Sequence, residues 1–177
     1  TGVQTCALPI LYFWLLWQDS GLPGNFRSDC YEPNLHELCK ANAARNCKGI
    51  SVIGKPVTGD GKMVDLVVCD EYPCCTHAQP GTERESVSAQ DTLKFITGDI
   101  DVVKIDTEGM EVDILRGYGR SVDRFRSVML EWHSEDDRRE IDRLLPNHKL
   151  YDMRCGLCKR SDGETQGVAK YIRKDLA

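Results

Sequence analysis

Apolar residues along this chain gather in short runs, divided by polar segments that carry glycine, proline and acids. That spacing predicts strands alternating with helices. The clearest case runs from Asp101 to Gly117. Val102, Val103 and Ile105 predict a buried strand, Asp106-Thr107-Glu108-Gly109 a turn, and the residues from about Met110 a helix. In open α/β sheets ligands bind beyond the carboxyl ends of the strands, where Asp106 and Glu108 stand. Acids there also suit the first turn of the following helix, so a plain capping role is the alternative.

Upstream, Leu11–Trp17 is apolar on every side and predicts a buried helix ending near Ser20, before Gly21. A stub of a membrane anchor is the other reading. Leu22-Pro23-Gly24-Asn25 reads as a turn. Phe26–Glu32 predicts a strand ending in an acid, and Leu35–Asn46 a helix with Asn34 as its cap and Leu35, Leu38, Cys39 and Asn42 on one face. Ile50–Val57 reads as a strand, Gly59-Asp60-Gly61 as a hairpin-type turn, and Lys62–Cys69 as another strand. Asp70–Arg84 reads as a loop, Glu85–Ala89 as a short strand, and Asp91–Ile96 as a short helix capped by Asp91. Ser127–Trp132 predicts the next strand, Asp136–Leu145 an amphipathic helix stopped by Pro146-Asn147. Lys149–Met153 and Val168–Arg173 predict two last strands joined through Ser161-Asp162-Gly163. Late strands with no helix between them suggest an antiparallel hairpin closing one edge of an otherwise parallel sheet, hence a doubly wound α/β domain.

At 177 residues, with 41% hydrophobic and 29% charged, the chain can bury one ordinary core. The net charge of −5 argues against a phosphate backbone as the main partner and leaves small molecules open. Nine cysteines lack the spacing of a small disulfide scaffold and are expected mostly reduced and at least half-buried. Cys69, Cys74, Cys75 and His77 could ligate zinc but lack the paired layout of such sites. Cys155 and Cys158 have the two-residue spacing without a second ligand pair, so incidental thiols are the simpler reading. No stretch reaches the ~18 apolar residues of a spanning helix. Thr1–Ile10 resembles a translated sequencing-adapter oligonucleotide, which is expected to be an artefact preceding one truncated domain over 11–177. On that expectation residues upstream of Leu11 are lost, and neither membrane association nor compartment is decidable.

The run VVKIDTEGMEVDILRG resembles the signature of FkbM-type S-adenosylmethionine-dependent methyltransferases. YEPN at Tyr31–Asn34 and VMLEWH at Val128–His133 fit the same family in the same order, over roughly Phe26 to Arg173. The resemblance implies a Rossmann-like class I methyltransferase sheet, mostly parallel with a C-terminal antiparallel hairpin. It implies O-methylation of a hydroxyl on a sugar, lipid or secondary metabolite. It also implies that Glu32 binds the ribose of S-adenosylmethionine, and that Asp106 and Glu108 stand beside the reactive methyl. The fold's first strand and glycine-rich loop have no counterpart before Leu11, so the fragment is expected to bind cofactor poorly.

Glu131 and His133 stand two apart and point to one side if the strand persists. His133 is the natural base near neutral pH, a surface histidine being the alternative. Asp106, Glu108 and Glu131 could instead hold a divalent cation that acidifies the acceptor. Two rivals remain. A nicotinamide-dependent oxidoreductase would be expected to show Gly-x-Gly-x-x-Gly, and a non-catalytic binding domain could use the same scaffold.

Overall fold

The computed structural model describes residues 18–19, 26–46, 49–67, 77–155 and 165–177. The chain divides into two units, Thr1–Pro56 with Leu66–Thr76, and Val57–Asp65 with His77–Ala177. Expectations for Leu11–Trp17, the turn at Leu22–Asn25, Cys69, Cys74, Cys75, Cys158 and the Ser161–Gly163 turn lie outside the described residues.

In the first unit β1 (Ser28–Tyr31) and β2 (Ile50–Ile53) pair in parallel, Ser28 opposite Ile50 and Tyr31 opposite Ile53. The helix α1 (His36–Asn46) connects them. A parallel pair needs such a crossover, because its strands run the same way. Cys39 is buried on α1 but Leu38 is 52% exposed, against the expectation that both face inward. Consecutive helical residues point ~100° apart, so Leu35, Cys39 and Asn42 make the inward stripe without Leu38. The strand expected over Ile50–Val57 stops at Ile53, and Val57 starts a new element. Gly54 and Pro56 intervene, and proline brings no N–H to a ladder.

In the second unit β3 (Val57–Thr58) pairs in parallel with β6 (Val87–Ser88). The Gly59-Asp60-Gly61 turn forms, with Gly61 N–H donating to Thr58 Oγ1 at 2.9 Å. It is not a hairpin, since β3 pairs with β6 rather than with β4 (Val64–Val67). The turn is fixed instead on a helix, α3 (Glu111–Tyr118): Gly59 N–H donates to Asp113 Oδ2 at 2.8 Å, and a Cβ on Gly117 would lie 2.3 Å from the Gly59 carbonyl oxygen. The segment expected as loop contains β5 (His77–Pro80). The short helix α2 (Ala89–Thr92) precedes α3 and starts two residues before Asp91. Its cap is Ser88, whose Oγ accepts Asp91 N–H at 3.1 Å. Serine accepts this bond with extended backbone, which leaves Asp91 inside the first turn.

The main sheet has the order β7-β8-β10-β9, from β7 (Val103–Ile105), β8 (Ser127–Trp132), β9 (His148–Cys155) and β10 (Gly167–Arg173). β7 and β8 run parallel, with Ile105 opposite Leu130, while β10 runs antiparallel to both β8 and β9. The edge hairpin is therefore present. Val102 lies outside β7 and is 43% exposed, so the buried strand is one residue shorter than its apolar run. Along β8 burial alternates: Val128, Leu130 and Trp132 enter the core, and Ser127, Met129 and Glu131 face the other way. That core joins them to Ile105, Ile114, Leu115 and Phe125, and to Ile141 from α4 (Glu135–Leu144), whose start Ser134 caps. Cys30 and Cys39 are buried cysteines outside any disulfide, and Cys155 is an exposed one. Among the described residues no helix is long and apolar enough to cross a membrane.

Candidate active site

β7 ends at Ile105, and the chain must turn sharply before α3 begins at Glu111. Glu108 takes φ 55° and Gly109 φ 115°. A left-handed, non-glycine residue costs on the order of 1 kcal/mol or more and persists only where its surroundings hold it. Glu111, 3% exposed, does the holding. Its Oε1 accepts Thr107 N–H at 2.8 Å and the Thr107 hydroxyl at 3.1 Å, and its Oε2 accepts Gly109 N–H at 3.0 Å. Met110, at the cap position, contributes no side-chain bond. The hydrogen bonds at this first turn thus go to Glu111 rather than to Asp106 or Glu108. Sequence reasoning passed over Glu111.

The neighbouring strand supplies the rest. Glu131 is the penultimate residue of β8 and His133 follows its end. One donor atom each from Glu108, Glu131 and His133 lie within 4.8 Å of one another. His133 Nε2 is 3.7 Å from Glu111 Oε1 and 4.0 Å from Glu131 Oε2. Asp106, with a side chain 8% exposed, pairs with Lys104 through Oδ2, while its Oδ1 is buried without a hydrogen-bond partner. The ends of β7 and β8 therefore bring Asp106, Glu108, Glu131 and His133 into one cup. Glu32 sits at the end of β1 in the first unit. It is buried, and its Oε1 accepts Asn34 N–H at 2.9 Å and Leu35 N–H at 3.0 Å.

The cup carries more acid than base. Burial raises the Glu108 carboxyl above its ordinary range. Burial, then the charges of Asp106 and Glu108, push Glu131 up to about 7. His133 is raised too, first by its partner Glu111. Burial pushes Glu111 upward, but His133 and the Thr107 N–H outweigh it and hold Glu111 low. Near neutral pH the site therefore holds an ionised Glu111 against a protonation-prone His133, with Glu131 close to half-protonated.

A stability effect follows. Glu131 has a folded-state pKa above the usual 4.5, so its contribution is fully present below pH 4.5 and is lost as pH rises through about 7. Glu131→Gln removes that loss. With its side chain 28% exposed and screening allowed for, the variant should be more stable than wild type by roughly 1–2 kcal/mol at pH 8, and by nothing at pH 4.5. Urea unfolding in chelator at both pH values measures this. An equal difference at the two would remove Glu131 as the source.

Residues 78–154 match the family model of the methyltransferase FkbM domain, a span that includes the whole cup and not Glu32. Over 83 residues the chain is 31% identical to a hexuronic acid methyltransferase, AglP, of Haloferax volcanii; the match covers 41% of this chain and 35% of that protein. The chain thus spans about a third of the length of the curated relative it matches. A precorrin-6y C5,15-methyltransferase structure from Geobacter metallireducens aligns with TM-score 0.42 at 11% identity, covering 94% of this chain and 88% of that one. The segment that builds the cup is of the FkbM methyltransferase type, as the KIDTEG run and VMLEWH suggested.

Proposed function

We propose that this protein methylates a hydroxyl oxygen of a small-molecule, sugar or lipid acceptor, with S-adenosylmethionine as donor. The observation that carries the reading is the meeting of Asp106, Glu108, Glu131 and His133 beyond two adjacent parallel strands, inside the segment of methyltransferase type. The name of the hexuronic acid methyltransferase favours a sugar among the acceptors.

The residues fit a sulfonium donor. Its positive charge suits a cup with an excess of carboxylates, one of which, Asp106, keeps a buried oxygen without a partner. When bound, the donor supplies an electrophilic methyl group. The chain must then place an acceptor oxygen in line and take its proton. The left-handed turn presents Glu108, and Lys104 fixes Asp106, to position donor and acceptor. His133, above its raised pKa, takes the proton at Nε2, next to Glu111, which stabilises the resulting imidazolium. Glu32 would hold the ribose, as the resemblance of its YEPN segment implies.

Isothermal titration with S-adenosylmethionine, on the 177-residue chain and on any longer protein its gene encodes, tests the reading. The donor should bind, and mass spectrometry should find the cofactor co-purifying. A nicotinamide cofactor in its place, or no binding at all, would overturn the proposal.

A further inference from the structure

We infer that Glu108, Glu131 and His133 form a binding site for one divalent first-row transition-metal cation, with Asp106 as a neighbouring carboxylate. The site lies in the cup assigned above to methyl transfer and rests on that reading only for its catalytic meaning; the donor set stands by itself.

Three observations lead there. One atom each from Glu108, Glu131 and His133 lie within 4.8 Å of one another. Ligands about 2.1 Å from a shared ion stand roughly 3–4 Å apart, so small side-chain rotations complete the coordination. Second, two buried polar atoms in the cup make no hydrogen bond. His133 Nε2 faces carboxylates at 3.7 and 4.0 Å, too far for a bond, and Asp106 Oδ1 belongs to a side chain nine-tenths buried. Buried polar atoms are ordinarily paired, and orphans beside ligand-type groups need an account. A cation provides one for both. Third, Glu108 and Glu131 bring two carboxylates within 4.8 Å of each other, and a cation between them would offset that crowding of acids.

Outside the cup, Lys104 holds the other oxygen of Asp106, as partners of ligating groups commonly do. An imidazole nitrogen among carboxylates favours manganese, iron or zinc over magnesium or calcium. Loading turns His133 from a proton acceptor into a ligand, and the ion then acidifies the acceptor hydroxyl.

Manganese(II) is the probe, because thiolates elsewhere in the chain compete for it poorly. The full 177-residue chain, without methyl donor, is titrated and read by electron paramagnetic resonance and electron spin-echo modulation. One bound ion per chain is expected, with nitrogen modulation from an imidazole. In His133→Ala the nitrogen signal disappears, and in that variant and Glu131→Gln affinity falls at least about tenfold. His36→Ala, on α1, leaves both unchanged. No binding by the wild type up to about 1 mM, or nitrogen modulation that survives in His133→Ala, overturns the inference. The wild-type measurement decides even if a variant fails to fold. Methyl transfer is not read, so a loss of the methyltransferase reading would appear separately, as absent donor binding.

Discussion

Glu111→Ala is expected to destabilise the protein by roughly 3 kcal/mol, a large effect for a carboxylate no strand or pocket motif singles out. The reason is local. Two backbone N–H groups and one hydroxyl lose a single buried acceptor, and the left-handed Glu108 loses what holds it. Hydrogen bonds to an ionised carboxylate contribute more than neutral ones, and three are lost together, although water reaches the half-buried Thr107 and exposed Gly109 donors in part. Glu111→Gln keeps the shape and one acceptor oxygen, so it should fall between alanine and wild type. Urea unfolding gives the order, and hydrogen exchange at the Thr107 and Gly109 amides should quicken in step. The pH dependence has a fixed sign. Glu111 is held below its usual 4.5, so its contribution is present above pH 4.5 and is lost as pH falls through its folded-state value. The gap between wild type and Glu111→Ala must therefore narrow on acidification, the reverse of the Glu131→Gln behaviour. An alanine variant within about 0.5 kcal/mol of wild type at pH 7 would sink this account.

The elements legible in the sequence were those whose burial follows one strong period. Ser127–Trp132 shows it best: an apolar-polar alternation specifies the strand, its inward face and the outward Glu131 together. The start of α3 beside Met110 was equally plain, since glycine and an acid-rich turn stop a strand in one way. What failed was set by tertiary partners. Val57 and Thr58 look continuous with the strand before them, yet they pair with Val87 and Ser88, thirty residues away. The Gly59–Gly61 turn has hairpin residues, but Asp113 and Gly117 on α3 determine where it lies. In the site, Asp106, Glu108, Glu131 and His133 could be named because each ends a strand or follows one. Glu111 could not, because its work is on the backbone of its own turn, and no spacing distinguishes that from an ordinary first-turn acid.

His133→Ala carries the largest expected effect on chemistry, a fall in kcat of about 10² to 10⁴. The histidine lies past the end of β8, outside the core that Val128, Leu130 and Trp132 build, so that packing stays in place, while the buried Glu111 loses a charged partner and some stability with it. Its partners are Glu111 and Glu131 across 3.7 and 4.0 Å, and both favour its protonated form. A base raised in this way is loaded with a proton at low pH. The wild-type rate in chelator should therefore climb as pH rises through the raised value, and His133→Ala should lose that limb of the profile. Chelation separates the two states of the cup. If the ion acidifies the acceptor, chelator slows the wild type, and the rate that remains in it is the part that His133 carries as a base. A His133→Ala protein that keeps the wild-type rate in chelator would show that the proton leaves by another route, with Glu131, near half-protonated at pH 7, the next group to test.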